Sequence, residues 1–179
     1  MISENIKTDI SIKVASPSGE CVKLHRVMLM INGKEQVVQV KANVTLLELL
    51  REELGIMGTK VGCETGDCGA CTVLVDGEPL NSCLVLAVEA DGHAITTIEG
   101  LEKEGRLDVV QQEFINQGAV QCGYCSPGMI LSGRALLDRN PHPTREEVSE
   151  AISGNLCRCT GYVKIVDAIM AAARAEAGA

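Results

Sequence analysis

The chain has 179 residues, a net charge of −8, 46% hydrophobic residues and 2% aromatic ones. That is enough apolar content for a core, in one domain or two small ones, and it argues against global disorder. The acidic balance argues against nucleic acid as a partner, because phosphate binding needs basic surface. No stretch reaches the roughly 18 apolar residues of a membrane span.

Met1 to Arg26 reads as an N-terminal extension, a frayed tail or an arm lying on a partner. Ile10, Ile12 and Val14 alternate weakly before Pro17-Ser18-Gly19 breaks the pattern. The segment has no uninterrupted apolar core, twin arginine or cleavage-like site. A cytoplasmic location is therefore expected, where thiols stay reduced and dense cysteine means metal before it means cross-links. There are nine cysteines.

Val27 to Val40 reads as a hairpin around Asn32-Gly33, a pair that supplies the positive φ angles of a two-residue turn. A helix follows from Thr45, with Glu48 completing a capping box, Leu46, Leu47, Leu49, Leu50 and Leu54 as its apolar face, and Gly55 as its stop. After a glycine-rich cysteine loop, Thr72–Val75 and Leu80–Cys83 flank Asp76-Gly77 as a second hairpin, and Ala94–Ile98 adds a strand. Residues 27–100 thus predict a small α+β domain. They hold 4 Lys/Arg against 11 Asp/Glu, so most of the acidity lies there. All three aromatics (Phe114, Tyr124 and Tyr162) come later, so the first core must be aliphatic.

From Leu101 the pattern turns helical. Leu107–Gln117 carries Leu107, Val110, Phe114 and Ile115 on one stripe. Pro127 opens a second helix through Asp138, which Asn140-Pro141 ends. Thr144 with Glu147 caps a third, and Tyr162–Ala175 forms a fourth with Ile165, Ala168, Ile169 and Ala172 in register. Residues 101–179 are expected to form a helical second domain, with the boundary near Glu99–Gly105.

Cys63, Cys68, Cys71 and Cys83 fall as C-x4-C-x2-C-x11-C. The first three cysteines have the spacing of a plant-type [2Fe–2S] ferredoxin, whose fourth ligand comes from further along. Gly62, Gly66 and Gly69 would let the backbone fold around the ligands, with its N–H groups aimed at the sulfurs. Zinc fits poorly, since its ligands come as two short pairs. Cys122, Cys125, Cys157 and Cys159 make a second set, C-x2-C and C-x-C. Spacing alone leaves zinc or a redox disulfide open here. The tightness of Cys157-Arg158-Cys159 and the helix starts nearby favour a cluster. Cys21 is left as an uncommitted thiol.

The segments Val61-Gly-Cys-Glu-Thr-Gly-Asp-Cys-Gly-Ala-Cys-Thr-Val, Gln121-Cys-Gly-Tyr-Cys-Ser-Pro-Gly-Met and Gly154-Asn-Leu-Cys-Arg-Cys-Thr-Gly-Tyr closely resemble the iron–sulfur subunits of the xanthine oxidase family, the molybdenum hydroxylases. The resemblance covers about residues 27–175 and departs only at the extension. It implies a β-grasp ferredoxin-like domain holding one [2Fe–2S] cluster through Cys63, Cys68, Cys71 and Cys83. A four-helix-bundle domain would hold the other through Cys122, Cys125, Cys157 and Cys159. It implies a hetero-oligomer with a large molybdopterin-binding subunit and an FAD-binding subunit. Gln121 and Cys159 would approach the pterin; read alone, Gln121 is also compatible with a residue that hydrogen-bonds a loop. Tyr124 and Tyr162 would pack beside ligands and shield a cluster.

The chain shows neither a Walker phosphate loop nor a G-x-G-x-x-G after a strand, so no substrate chemistry is expected from its own residues. Its expected role is electron transfer between the molybdopterin site and FAD or another acceptor. The competing class is a stand-alone two-cluster ferredoxin-type carrier, for which Gln121 and a pterin-side cysteine have no purpose.

Overall fold

The computed structural model describes residues 12–15 and 21–178; Ile10, Pro17-Ser18-Gly19 and the side chain of Cys21 lie outside the described residues. Asn32 and Gly33 take φ of 49° and 77° and join β2 (Cys21–Ile31) antiparallel to β3 (Lys34–Lys41), with Val27 opposite Val38. The period-2 pattern sorts the side chains. Val27, Leu29 and Ile31 point into the core, whereas Met28 and Met30 stay over 40% exposed. The strand begins at Cys21 rather than Val27. β1 (Ile12–Ala15) pairs antiparallel with its start, Ile12 opposite Leu24, so part of the predicted extension is a strand of the sheet.

Thr45 caps α1 (Leu46–Glu48) through the predicted box. The helix does not continue regularly. It widens into a π-helical stretch, Leu49–Glu53, closed by Leu54 N–H to the Leu49 carbonyl at 3.0 Å. Leu46, Leu49 and Leu50 are buried beneath the sheet with Val73, Ala87, Ala90 and Ile95, while Leu47 is buried against Cys71 and Cys83. The core is aliphatic, as the aromatic count requires.

Asp76-Gly77 turns β4 (Thr72–Val75) into β5 (Glu78–Asn81). β5 ends before Cys83, which sits instead on a 3-10 turn, Ser82–Leu84. β6 (Ala94–Thr96) runs parallel to β2 and antiparallel to β4, completing a mixed six-stranded sheet.

The second half contains α2 (Val109–Asn116), α3 (Ser126–Arg139), α4 (Arg145–Ala151) and α5 (Val163–Ala177). Pro127 occupies the first turn of α3, and Thr144 with Glu147 boxes α4 as predicted. A further box, Asp108 with Gln111, starts α2. The predicted stripe on α2 is only half right: Val110 and Phe114 are buried, but Leu107 and Ile115 are 46% and 60% exposed. Leu107 precedes the helix, and Ile115 is one residue, hence about 100°, around from Phe114.

The architecture is therefore α+β, with a mixed sheet and five helices. Leu74 of β4 packs on Leu131 and Ala135 of α3, tying the two halves together. Among the described residues no helix is long and apolar enough to cross a membrane.

Candidate metal centres

The first cysteine set is brought together by the turn before β4 and the turn after β5. Ser82 donates its N–H and hydroxyl to the Cys71 carbonyl at 3.3 and 2.7 Å, holding the Cys83 segment against the loop. Asn81 Nδ2 donates to the Gly66 carbonyl at 2.8 Å. Gly66 and Gly69 have φ of 85° and 66°, values that favour glycine. Gly62 serves for space instead: a Cβ there would lie 2.6 Å from Cys68 Sγ.

Within this set the thiols are paired. Cys63 interacts with the side chain and amide of Cys68, and Cys71 with Cys83. Cys71 and Cys83 are buried, while Cys63 and Cys68 are half-buried. The side chain of Thr65 and its amide, 3.4 Å from Cys63 Sγ, pull the Cys63 thiol down to about 6. Burial, reinforced by neighbouring Cys71, pushes Cys83 up to about 11.

The second set repeats the pattern. Cys159 and Cys122 Sγ are 3.6 Å apart and exposed, whereas Cys125 and Cys157 contact each other further in. Burial, then the contact with Cys157, pushes Cys125 up to about 12. Burial also raises Cys157, but the Thr160 hydroxyl at 3.0 Å and amide at 3.4 Å outweigh it, leaving about 7. The contact with Cys122 raises Cys159. Donors aimed at sulfur thus favour the thiolate at one position of each set, and crowding holds a neighbour protonated.

Among the described residues no group of three or more Cys, His, Asp or Glu side chains converges as a site for one metal ion. Two close pairs per set instead suit two metals, each with two thiolates.

The two sets are neighbours. Cys68 and all four cysteines of the second set line one cavity of about 200 Å³. Leu156 N–H donates to the Cys68 carbonyl at 2.9 Å, and Tyr124 hydroxyl bonds the Val61 carbonyl. Tyr162 hydroxyl accepts the Cys157 N–H at 2.9 Å. Gln121 is exposed beside Cys122, and Tyr124 and Leu156, both exposed, line the cavity with Cys122 and Cys159.

The sequence reading assigned no role to Thr160 or Asn155, although both lie inside the last quoted motif. Asn155 is 4% exposed, and its partners lie far away in sequence, so no local signal marks it.

A model described as a 2Fe-2S iron-sulfur cluster binding domain matches residues 29–100, and one described as a [2Fe-2S] binding domain matches residues 97–170. The chain is 52% identical over 141 residues to the nicotinate dehydrogenase small FeS subunit of Eubacterium barkeri, covering 79% of this chain and 90% of that one. Against the aldehyde oxidoreductase of Megalodesulfovibrio gigas it is 46% identical over 82% of its own length but only 16% of the longer protein. The quinoline 2-oxidoreductase structure from Pseudomonas putida 86 superposes with a TM-score of 0.83 at 51% identity, over 86% of this chain and 95% of that one.

Proposed function

The chain belongs to the iron–sulfur subunits of the molybdenum hydroxylases, and on that premise we propose that its two thiol sets hold two [2Fe–2S] clusters in series between a molybdopterin-bearing large subunit and an FAD-bearing subunit. Each cluster, when bound, supplies a site that takes up and releases one electron. The observation that carries the ligand assignment is the pairing. Cys63 with Cys68 and Cys71 with Cys83 would each hold one iron, as would Cys122 with Cys159 and Cys125 with Cys157. A single zinc would need four sulfurs around one point.

The direction follows from exposure. Cys122, Cys159 and Gln121 stand on the open face, with apolar neighbours suited to a protein interface. We place the large subunit there, with Gln121 and Cys159 toward its pterin. The FAD-bearing subunit would sit toward the first set. Thr65 and Thr160 would stabilise negative charge on ligand sulfurs, and Tyr162 would hold the Cys157 amide in place. The domain division is 27–100 and 101–179, with residues 1–26 as an extension that contributes β1 and the start of β2. The four helices of the second half form a four-helix bundle. The density of reduced cysteines favours the cytoplasm.

The test is chemical and spectroscopic. The purified complex should contain about four iron and four acid-labile sulfide per chain, with two distinguishable paramagnetic signals on reduction. Cys68→Ser should remove mainly the signal of the first set, and Cys159→Ser should disturb that of the second. Stoichiometric zinc, or one signal accounting for all the iron, would overturn the assignment.

A further inference from the structure

One polar side chain buried between the two ligand segments is not a cysteine. Asn155 Nδ2 donates to the Gly69 carbonyl at 2.9 Å and to Thr72 Oγ1 at 3.0 Å, and its Oδ1 accepts from Ser132 Oγ at 2.8 Å. Gly69 lies between Cys68 and Cys71, Thr72 directly follows Cys71, and Asn155 is two residues before Cys157. One amide therefore ties the loop carrying the first set to the segment carrying the second, with α3 as the anvil.

The junction admits no slack. A Cβ at Gly69 would lie 2.3 Å from the Gly154 carbonyl oxygen and 2.5 Å from Asn155 Nδ2. The Leu156 N–H bond to the Cys68 carbonyl closes the same contact one residue further on. Neither Asn155, Thr72 nor Ser132 leaves a buried side-chain polar atom without a partner, so the network is satisfied and has one geometry.

We propose that Asn155 is a positioning residue for electron transfer: its side-chain amide clasps the Gly69 loop to the Asn155–Cys157 segment and so sets the separation, and with it the rate of transfer, between the two centres. This rests on the reading of both thiol sets as cluster ligands. Asn155 contacts no ligand sulfur and acts only by holding two ligand-bearing segments in register. Transfer between two centres slows as their separation grows, so a clasp that fixes the separation also fixes the rate.

The experiment uses the assembled complex with Asn155→Ala and, as a milder cut, Ser132→Ala, which removes only the bond orienting the amide. Three quantities are read in each: iron and sulfide content, spin–spin splitting between the two reduced centres, and exchange of the Leu156 amide. Rapid-freeze reduction through the large subunit gives the order of filling. Asn155→Ala should keep its iron, weaken the splitting, speed Leu156 exchange, and slow reduction of the Cys63 set severalfold. Reduction of the Cys122 set should keep the parent rate. Ser132→Ala should move the same readouts in the same direction by less. Parent-like splitting, exchange and filling order in an iron-replete Asn155→Ala complex would overturn the proposal. If Asn155→Ala loses iron, Ser132→Ala decides by the same criteria. A parent complex lacking two paramagnetic centres would instead sink the underlying cluster reading.

Discussion

Gly128 opens onto the junction from α3, and replacing it sets two calculable effects against each other. In a helix, alanine is favoured over glycine by up to about 1 kcal/mol. Here, however, the new Cβ would lie 2.4 Å from the Gly69 carbonyl oxygen, 2.8 Å from Asn155 Nδ2 and 3.4 Å from Thr72 Oγ1. Real Cβ atoms do not come within 3.0 Å of such neighbours, so α3 and the ligand loop must separate. The Gly69 oxygen is backbone and cannot rotate away. Separation stretches the bond that Ser132 of α3 donates to Asn155 Oδ1, worth about 1 kcal/mol, and overpacking adds about 1–3 kcal/mol. Steric cost wins: Gly128→Ala should destabilise by about 1–3 kcal/mol net, which lowers the melting temperature by roughly 3–10 °C in a chain of this size.

The matched control is Gly154→Ala. A Cβ at Gly154 meets nothing within 4 Å and its φ is not positive, so the change should be neutral or stabilise by up to about 1 kcal/mol. Loss of visible absorbance on heating, at one fixed scan rate, compares the two variants. Equal melting of Gly128→Ala and Gly154→Ala would refute the close packing of α3 on the cysteine loop.

Thr160→Val removes the hydroxyl donated to Cys157 Sγ at 3.0 Å. Hydrogen bonds to sulfur stabilise the more negative, reduced state, so the potential of that centre should fall by about 40 mV, the one-electron equivalent of about 1 kcal/mol. A redox titration followed by paramagnetic resonance would show it, and an unmoved midpoint would deny the bond any role. Arg134 is 9% exposed and meets Glu176 at 2.5 Å, Asp138 at 2.8 Å and Asp108 at 3.7 Å. Arg134→Met leaves these carboxylates facing one another and should cost about 3 kcal/mol, the low end for a broken buried pair because Asp138 and Glu176 still reach water; an unchanged urea midpoint would contradict this. Burial holds the Asp108 carboxyl above its ordinary value despite the Val110 amide and Arg134. Because the folded value is raised, stability is full below the unfolded value near about 3.9 and is lost as pH rises through the folded one. Asp108→Asn keeps an oxygen for the helix cap, so it should melt above the parent at pH 7 and converge with it near pH 3; a gap that widened on acidification would reverse the assignment.

What the sequence makes legible is whatever its local spacing encodes. Asn32-Gly33 and Asp76-Gly77 announce their hairpins because few other pairs take positive φ twice. The boxes at Thr45 and Thr144 need only a residue and its third neighbour. The ligand loop around Cys63, Cys68 and Cys71 is nearly contiguous. Illegible features depend on distant partners. Asn155 and Gly69 are 86 residues apart, and Cys122 and Cys159 are 37 apart, so neither the clasp nor the thiol pairing leaves a local trace. β1 joins the sheet only through its register with the start of β2. The π-helical widening after Glu48 accompanies burial of Leu46, Leu49 and Leu50 in one core and of Leu47 against Cys71 and Cys83, which propensity does not register.

The junction divides its work between two kinds of contact. Leu74, Leu131 and Ala135 are all less than 5% exposed and form one apolar cluster across the halves. Each fully buried leucine contributes about 1.5–3 kcal/mol, so this patch supplies attraction, yet apolar surfaces tolerate sliding. The Asn155 network has the opposite character. Its net contribution is small, because each bond replaces one to water, but any sliding leaves buried donors and acceptors unpaired at about 1–3 kcal/mol each. Sliding is therefore penalised steeply although docking gains little. A surface that only had to associate could be wholly apolar; a satisfied polar clasp beside two sets of ligands is what a fixed separation between them requires.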